Sequence, residues 1–219
     1  MPTPGTADSL LKVKQKTKRG EDTLNRLCTV AEELFAEKNY YSTSVSEIVL
    51  QAGISVGTFY IYFNDKLSLY KYMVLQYGRR LRRHIAQRLS AMELTSRFDM
   101  EREGMKLFLD FCIEKPSTFS MVWQSLFVAP ELFIDYYDDF GKQYEKRLGD
   151  AVRSGEVYPI NLEVASYVLM GASNFLALKY VTFGPPTPLN DEQLYRIVDA
   201  LLFILKNGRF TDPPPNSKK

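Results

Sequence analysis

The chain of 219 residues and 25.2 kDa is 45% hydrophobic and 25% charged, long enough for one large domain or two small ones and too apolar for wholesale disorder. Two distant cysteines, Cys28 and Cys112, and a lone histidine, His84, argue against a disulfide framework, a cysteine metal cluster and His-based catalysis, and no apolar run or leader predicts a membrane span or a secretory signal. The charge is split: residues 1–90 hold 14 Lys and Arg against 8 Asp and Glu (+6), the remainder 14 against 18 (−4), so the front third is the part suited to a polyanion.

Residues 1–19 are predicted as a basic, disordered arm, in which Lys12, Lys14, Lys16, Lys18 and Arg19 either meet nucleic acid or are simply solvated. From about residue 20 the pattern turns helical. Leu24, Leu27, Ala31, Leu34 and Phe35 recur at three- and four-residue steps, and Asn39 suits a left-handed C-terminal cap. Ser44-Val45-Ser46-Glu47 reads as a capping box opening a short helix that ends at Ala52. Gly53 supplies a turn, Ser55 caps a second short helix, and Asn64 or Asp65 caps a long one over 65–92. Further helices are predicted over 98–114, 117–128, 130–154, 161–183 and 191–207, followed by a loose tail over 211–219. No alternating strand pattern or internal repeat is evident, so the predicted class is all-α, with about nine helices.

The segment TSVSEIVLQAGISVGTFYIYF (43–63) places two short helices around a glycine, the geometry that holds a second helix out toward a major groove. Ile48, Ile54, Phe59 and Phe63 are read as inward. Ser46, Ser55, Thr58, Tyr60 and Tyr62 are read as outward hydrogen-bonding groups, with packing as the alternative for both tyrosines. Val56 and Gly57 allow close approach to base edges, and the valine methyls suit a thymine methyl. Lys66 lies in the first turn of the next helix, where the helix dipole opposes a cation and a nearby phosphate would favour it.

Residues 23–70, with AGIS-VGTFYIYF-NDK at their centre, resemble the TetR-type regulators. Two positions depart: Asn39 stands where the family carries Gly, and Val49 where it carries Ala. The resemblance implies a helix-turn-helix DNA-binding domain over 20–66 and a ligand-binding and dimerisation domain over 67–210. It assigns Ser44 and Ser46 to backbone or base contacts, Ser55, Val56, Gly57 and Thr58 to base edges, and Tyr60, Tyr62 and Lys66 to phosphates, with Arg19 at the end of the arm. It implies no enzyme activity and no resident cofactor, a cytoplasmic homodimer on a palindromic operator, and an interface formed by the helices at 161–183 and 191–207.

The middle of the chain is rich in large aromatics, which can wall an apolar pocket. Phe108, Trp123, Gln124, Tyr137, Phe140, Tyr144 and Asn174 are the candidate lining, against an ordinary-core reading of each aromatic. Residues 130–157 and the segment VLMGASNFLALKYVTFG resemble the TetR regulators of fatty-acid metabolism that respond to long-chain acyl-CoA. That resemblance implies an acyl effector, with Arg102, Lys106, Lys142, Lys146 and Arg147 as candidate contacts for its head. Arg79, Arg80, Arg82, Arg83 and Arg88 are read as a solvated face and His84 as exposed. Two other readings stay open: a thiol redox sensor through Cys112, and a helical ligand- or protein-binding module that no longer reads DNA.

Overall fold

The computed structural model describes residues 7–13, 17–184 and 189–207. Lys14, Lys16, the tail over 211–219 and the predicted boundary at 210 lie outside the described residues. The described chain is all-α: α1 Lys18–Lys38, α2 Val45–Gln51, α3 Val56–Tyr62, α4 Lys66–Ser90, α5 Arg97–Glu114, α6 Pro116–Val128, α7 Pro130–Arg153, α8 Leu162–Ala177 and α9 Asp191–Asn207.

The caps explain most helix starts. Thr17, Ser44, Ser55, Asp65, Ser96 and Asn161 each accept a hydrogen bond from a backbone N–H in the first turn of the helix that follows. α6 and α7 begin instead on Pro116 and Pro130, whose missing N–H costs nothing at that position. Asn39 closes α1 at φ 66°, and its Oδ1 accepts from the N–H groups of Tyr41 and Ser42. Gly53 (φ 60°) and Gly155 (φ 81°) hold the left-handed turns after α2 and α7. α2 and α3 meet at a bend of 105°.

Three local expectations are corrected. The capping box is half-formed: Ser44 Oγ accepts from the Glu47 N–H at 3.1 Å, but the Glu47 carboxylate turns away to pair with Lys38. The arm is not wholly disordered. Ala7–Leu10 forms a 3-10 turn on α4, with Ala7 fully buried and Asp8 paired to Arg79 at 3.2 Å, and α1 already starts at Lys18. Lys12 continues this strap to α3, its N–H donating to Tyr62 O at 3.0 Å and its ammonium to Tyr60 O at 2.9 Å. The helix predicted over 161–183 stops being α-helical after Ala177 and continues as a π turn, Leu178–Thr182.

Two apolar cores result. The first gathers α1, α2, α3 and the front of α4 against α6 and α7, through residues such as Leu27, Phe35, Ile48, Phe59, Tyr70 and Met121. The second joins α5 to α6, α8 and α9 through Met105, Leu109, Cys112, Phe119, Leu194 and Val198. The departing Val49 is accommodated in the first core at 4% exposure. Leu162–Thr182 is apolar and long enough by composition to cross a membrane, yet Val164, Tyr167, Val168 and Phe175 on it face outward.

α4 and α7 meet where α4 lacks a side chain. A Cβ on Gly78 would lie 2.8 Å from Cε2 of Tyr136, a ring that is itself buried. Gly78→Ala should therefore lower the thermal midpoint. The overpacking cost of about 1–3 kcal/mol exceeds the roughly 1 kcal/mol that alanine returns in helix propensity. A calorimetric melt checks this, and a raised midpoint would show the contact to be soft.

Candidate nucleic-acid interface and effector cavity

The helix-turn-helix face follows from the 3.6-residue period of α3. Phe59, Tyr62 and Phe63 point in, at 0%, 5% and 0% exposure. Val56, Gly57, Tyr60 and Ile61 point out, with Ser55 exposed at the cap and Thr58 half-buried. Ser44 and Ser46 are exposed at the start of α2, and Arg19 is exposed on the first turn of α1. The Ser55 Oγ and Thr58 Oγ1 lie 2.9 Å apart, so each hydroxyl fixes the other at the α3 N-terminus. Gly57 leaves open space: an added Cβ would meet only Ser55 Oγ, at 3.7 Å.

Two residues assigned to phosphates also have partners within the chain. Tyr62 stands three residues after Phe59, on the inward face, and its hydroxyl donates to Gly20 O at 3.1 Å. Ile61, which takes the outward place, was legible from the same period and was missed. Lys66 turns back under the α1–α2 connection, donating to Tyr40 O at 2.7 Å and Thr43 O at 2.5 Å, with its ammonium 4.2 Å from the Tyr40 ring centroid. Burial pushes its pKa down. The cation offsets loop carbonyls, which accounts for a lysine placed against the helix dipole.

Lys66→Met should leave two carbonyls without their donor and cost about 1–3 kcal/mol of stability. The slope of log affinity for DNA against log salt in the folded variant then decides the phosphate role: a slope shallower by about one unit keeps it and an unchanged slope removes it. A salt titration alongside a melt separates the two roles.

Behind the head, α4, α5, α7 and α8 enclose a cavity of about 750 Å³. Its inner wall is apolar, with Leu81, Met105, Tyr136 and Met170. Its outer rim carries exposed Arg83, Met92, Met100, Gln143 and Arg147. Five of the seven expected lining residues are there: Phe108, Tyr137, Phe140, Tyr144 and Asn174. The Tyr137 hydroxyl donates to Asn174 Oδ1 at 2.9 Å, and the Asn174 amide donates to Met170 O at 2.8 Å.

The other two are elsewhere. Gln124 belongs to the seam between α6 and the head: its amide donates to Phe35 O at 3.0 Å and its Oε1 accepts from the Tyr40 N–H at 3.2 Å. Trp123 packs among Phe119, Phe133 and Phe175, outside the cavity, with its indole N–H buried and unpartnered. Among the expected head-group contacts, Arg147 alone lines the cavity. Arg102 is engaged by Asp199 at 2.5 and 2.9 Å, and Lys106 by Asp110 at 2.7 Å and Asp191 at 2.8 Å. The α4 arginines are not only a solvated face, since Arg82 and Arg83 border the cavity and the Arg82 guanidinium lies 5.1 Å from the Phe140 ring centroid. His84 is half-buried, its ring centroid 5.3 Å from that of Phe111. Sequence reasoning also missed Arg97 and Glu101, which are part of the cavity lining.

Both thiols are held protonated. Cys112 is fully buried, with the Tyr77 hydroxyl at 3.7 Å, and burial pushes its pKa up to about 12. Cys28 is only half-buried, and desolvation pushes its pKa up as well. Because the thiolate is the reactive form, Cys112 should not be alkylated by iodoacetamide in the folded protein near neutral pH, and the half-buried Cys28 should react more slowly than in the unfolded chain. Both should react on unfolding, and mass spectrometry of the two states reads the difference.

The described residues thus form a helix-turn-helix head continuous with an all-helical body that encloses a mostly apolar cavity. Residues 27–73 match the sequence profile of the bacterial regulatory proteins, tetR family. It is 35% identical over 72 residues to the fatty acid metabolism regulator protein of Bacillus subtilis, a match covering 31% of this chain and 37% of that protein. The chain therefore aligns with little more than a third of that relative. In fold it is similar to the transcriptional regulator FadR of Bacillus subtilis in complex with stearoyl-CoA (TM-score 0.70, 18% identity, 85% of this chain and 99% of that one). It is similar also to the fatty acid degradation regulator FadR of Bacillus halodurans (TM-score 0.71, 17% identity, 89% and 98%).

Proposed function

We propose that this chain is a repressor that binds a palindromic operator as a homodimer and releases it when an acyl-bearing effector, a long-chain acyl-CoA, fills the cavity. The reading is carried by the continuity of α4, which starts beneath the reading head and ends as a wall of the cavity. Ser44, Ser46, Ser55, Val56, Gly57, Thr58 and Tyr60 form the DNA-facing surface, supported by their position at the starts of α2 and α3 or on the outward side of α3. Arg19 stands beside them as a phosphate contact.

Dimerisation rests on α8 and α9. Val164, Val168 and Phe175 of α8 are exposed, as are Phe203 and Ile204 of α9, and Ala165, Gly171 and Ala172 permit close helix approach. A two-fold dimer would present its reading heads about one DNA turn apart, roughly 34–36 Å. A tenfold loss of operator affinity requires the effector to favour the released state by only about 1.4 kcal/mol.

Titration of the purified dimer onto DNA from upstream of its own gene, with and without a long-chain acyl-CoA, tests the proposal. The expected result is specific, salt-sensitive binding that the acyl-CoA abolishes. Specific binding indifferent to the acyl-CoA would overturn the effector and keep the regulator. Failure to enrich any palindrome in an unbiased site selection would overturn DNA readout and leave a ligand- or protein-binding module.

A further inference from the structure

The cavity has a buried apolar wall and also carries charged residues in its lining. Arg97, on the first turn of α5, and Glu101, one turn later, are two of these, with side chains only 14% exposed. The Glu101 carboxylate is already occupied: one oxygen accepts from a terminal nitrogen of Arg97 and the other from the Tyr144 hydroxyl. The Arg97 side chain is not fully used, because its Nε–H is buried with no hydrogen-bond partner. A buried charged donor left unmatched is costly, and this one belongs to a residue that lines the cavity. Arg82, Arg83 and Arg147 border the same cavity, so Glu101 is outnumbered by guanidinium groups there.

We propose that Arg97 is the head-group donor of this cavity. The ligand it selects is an amphiphile with an anionic oxygen head, carboxylate or phosphate. The head accepts from the Arg97 Nε–H with Arg147 beside it, and the chain runs inward past Phe108 toward Tyr136 and Met170. Glu101 and Tyr144 are positioning residues that hold the guanidinium so that Nε faces the ligand. This deepens the effector reading above and rests on it. That reading asks only for an acyl chain, whereas this one fixes which end of the ligand is recognised and by which atom.

Equilibrium dialysis of the full chain against four ligands with one fourteen-carbon chain, each below its micellar concentration, tests it. The ligands are myristate, myristoyl-CoA, tetradecanol and tetradecyltrimethylammonium. At least one anion should bind about ten- to a hundredfold more tightly than the alcohol, the range for a hydrogen bond to a charged group. Whether it is myristate or myristoyl-CoA separates a carboxylate from a phosphate head. The double variant Arg97→Met, Glu101→Gln keeps the site free of an unpaired carboxylate and should erase that preference while leaving alcohol binding unchanged. Should it fail to fold, Arg97→Lys retains the charge without the Nε donor and should lose most of the preference.

Equal binding of alcohol and anions would overturn the head-group proposal and leave the apolar cavity standing. Tightest binding of the ammonium ligand would overturn it in favour of Glu101 as the recognising group. Binding of none of the four would overturn it together with the acyl-effector reading.

Discussion

Leu69 and Tyr70, within the first two turns of α4, are fully buried in the reading head, and Leu81, about three turns later, is fully buried at the wall of the cavity. Between them Tyr77 and Gly78 are buried toward α5 and α7. One helix of 25 residues therefore belongs to both halves. At 1.5 Å per residue it is a rod of about 37 Å, and a tilt of about 5° displaces its far end by about 3 Å. Hydrogen bonds to base edges hold only within a few tenths of an ångström of their ideal length. A small adjustment of α4 at the cavity is thus large at the head. The packing that allows such an adjustment is narrow, because the Tyr136 ring already occupies the space a Gly78 side chain would need.

The head does not hang on α4 alone. α6 holds it through bonds that end mostly on main-chain oxygens: Gln124 to Phe35 O, Tyr70 to Met121 O at 2.5 Å, and Tyr41 to Phe127 O at 2.9 Å. Thr118 adds a bond to Glu32 on α1, and Lys71 on α4 pairs with Glu131 at the start of α7. Neutral bonds of this kind contribute about 1 kcal/mol each, and the exposed ion pair less. The seam is specific in register, yet each bond is comparable in size to the free energy the proposed effector would have to supply. A seam of that strength can be remodelled by ligand binding without unfolding either half.

Much of this fold is legible in the sequence, for local reasons. Periodic apolar residues place the helices, and Ser, Thr, Asp, Asn and Pro fix most of their first turns within one or two residues. Gly53 and Gly155 mark turns because few other residues accept a positive φ. What escapes is what depends on distant partners. Nothing local to Lys66 announces that the α1–α2 connection, more than twenty residues earlier in the chain, brings its carbonyls to the ammonium. Gln124 looks like a pocket handle until α6 is laid against α1. Glu47 could close its own capping box, but Lys38 arrives from α1 and wins the carboxylate. Tyr62 is a different kind of miss: the 3.6-residue period placed it inside, and its polar hydroxyl suggested otherwise. Five cavity residues were found because aromatics and an amide at helical spacing identify a wall. Arg97 and Glu101 were not, because an i, i+4 ion pair on a helix reads in sequence as surface.

The exposed stripe on α8 bears on how the rest of the molecule would work. Val164, Val168 and Phe175 follow one another at helical spacing along a helix whose composition belongs in an interior. Leaving them in water forfeits the favourable free energy of burial, about 25 cal/mol for each Å² of apolar surface. A second copy laid across the stripe would recover it. The mechanical consequence matters more than the energy. A displaced α4 in a lone protomer moves a reading head relative to nothing but its own body. Once two bodies are joined through α8 and α9, the same displacement changes the distance between two heads, the quantity that two half-sites on a DNA duplex measure. On this reading the apolar face supplies the fixed frame that turns a tilt of α4 into a change of spacing.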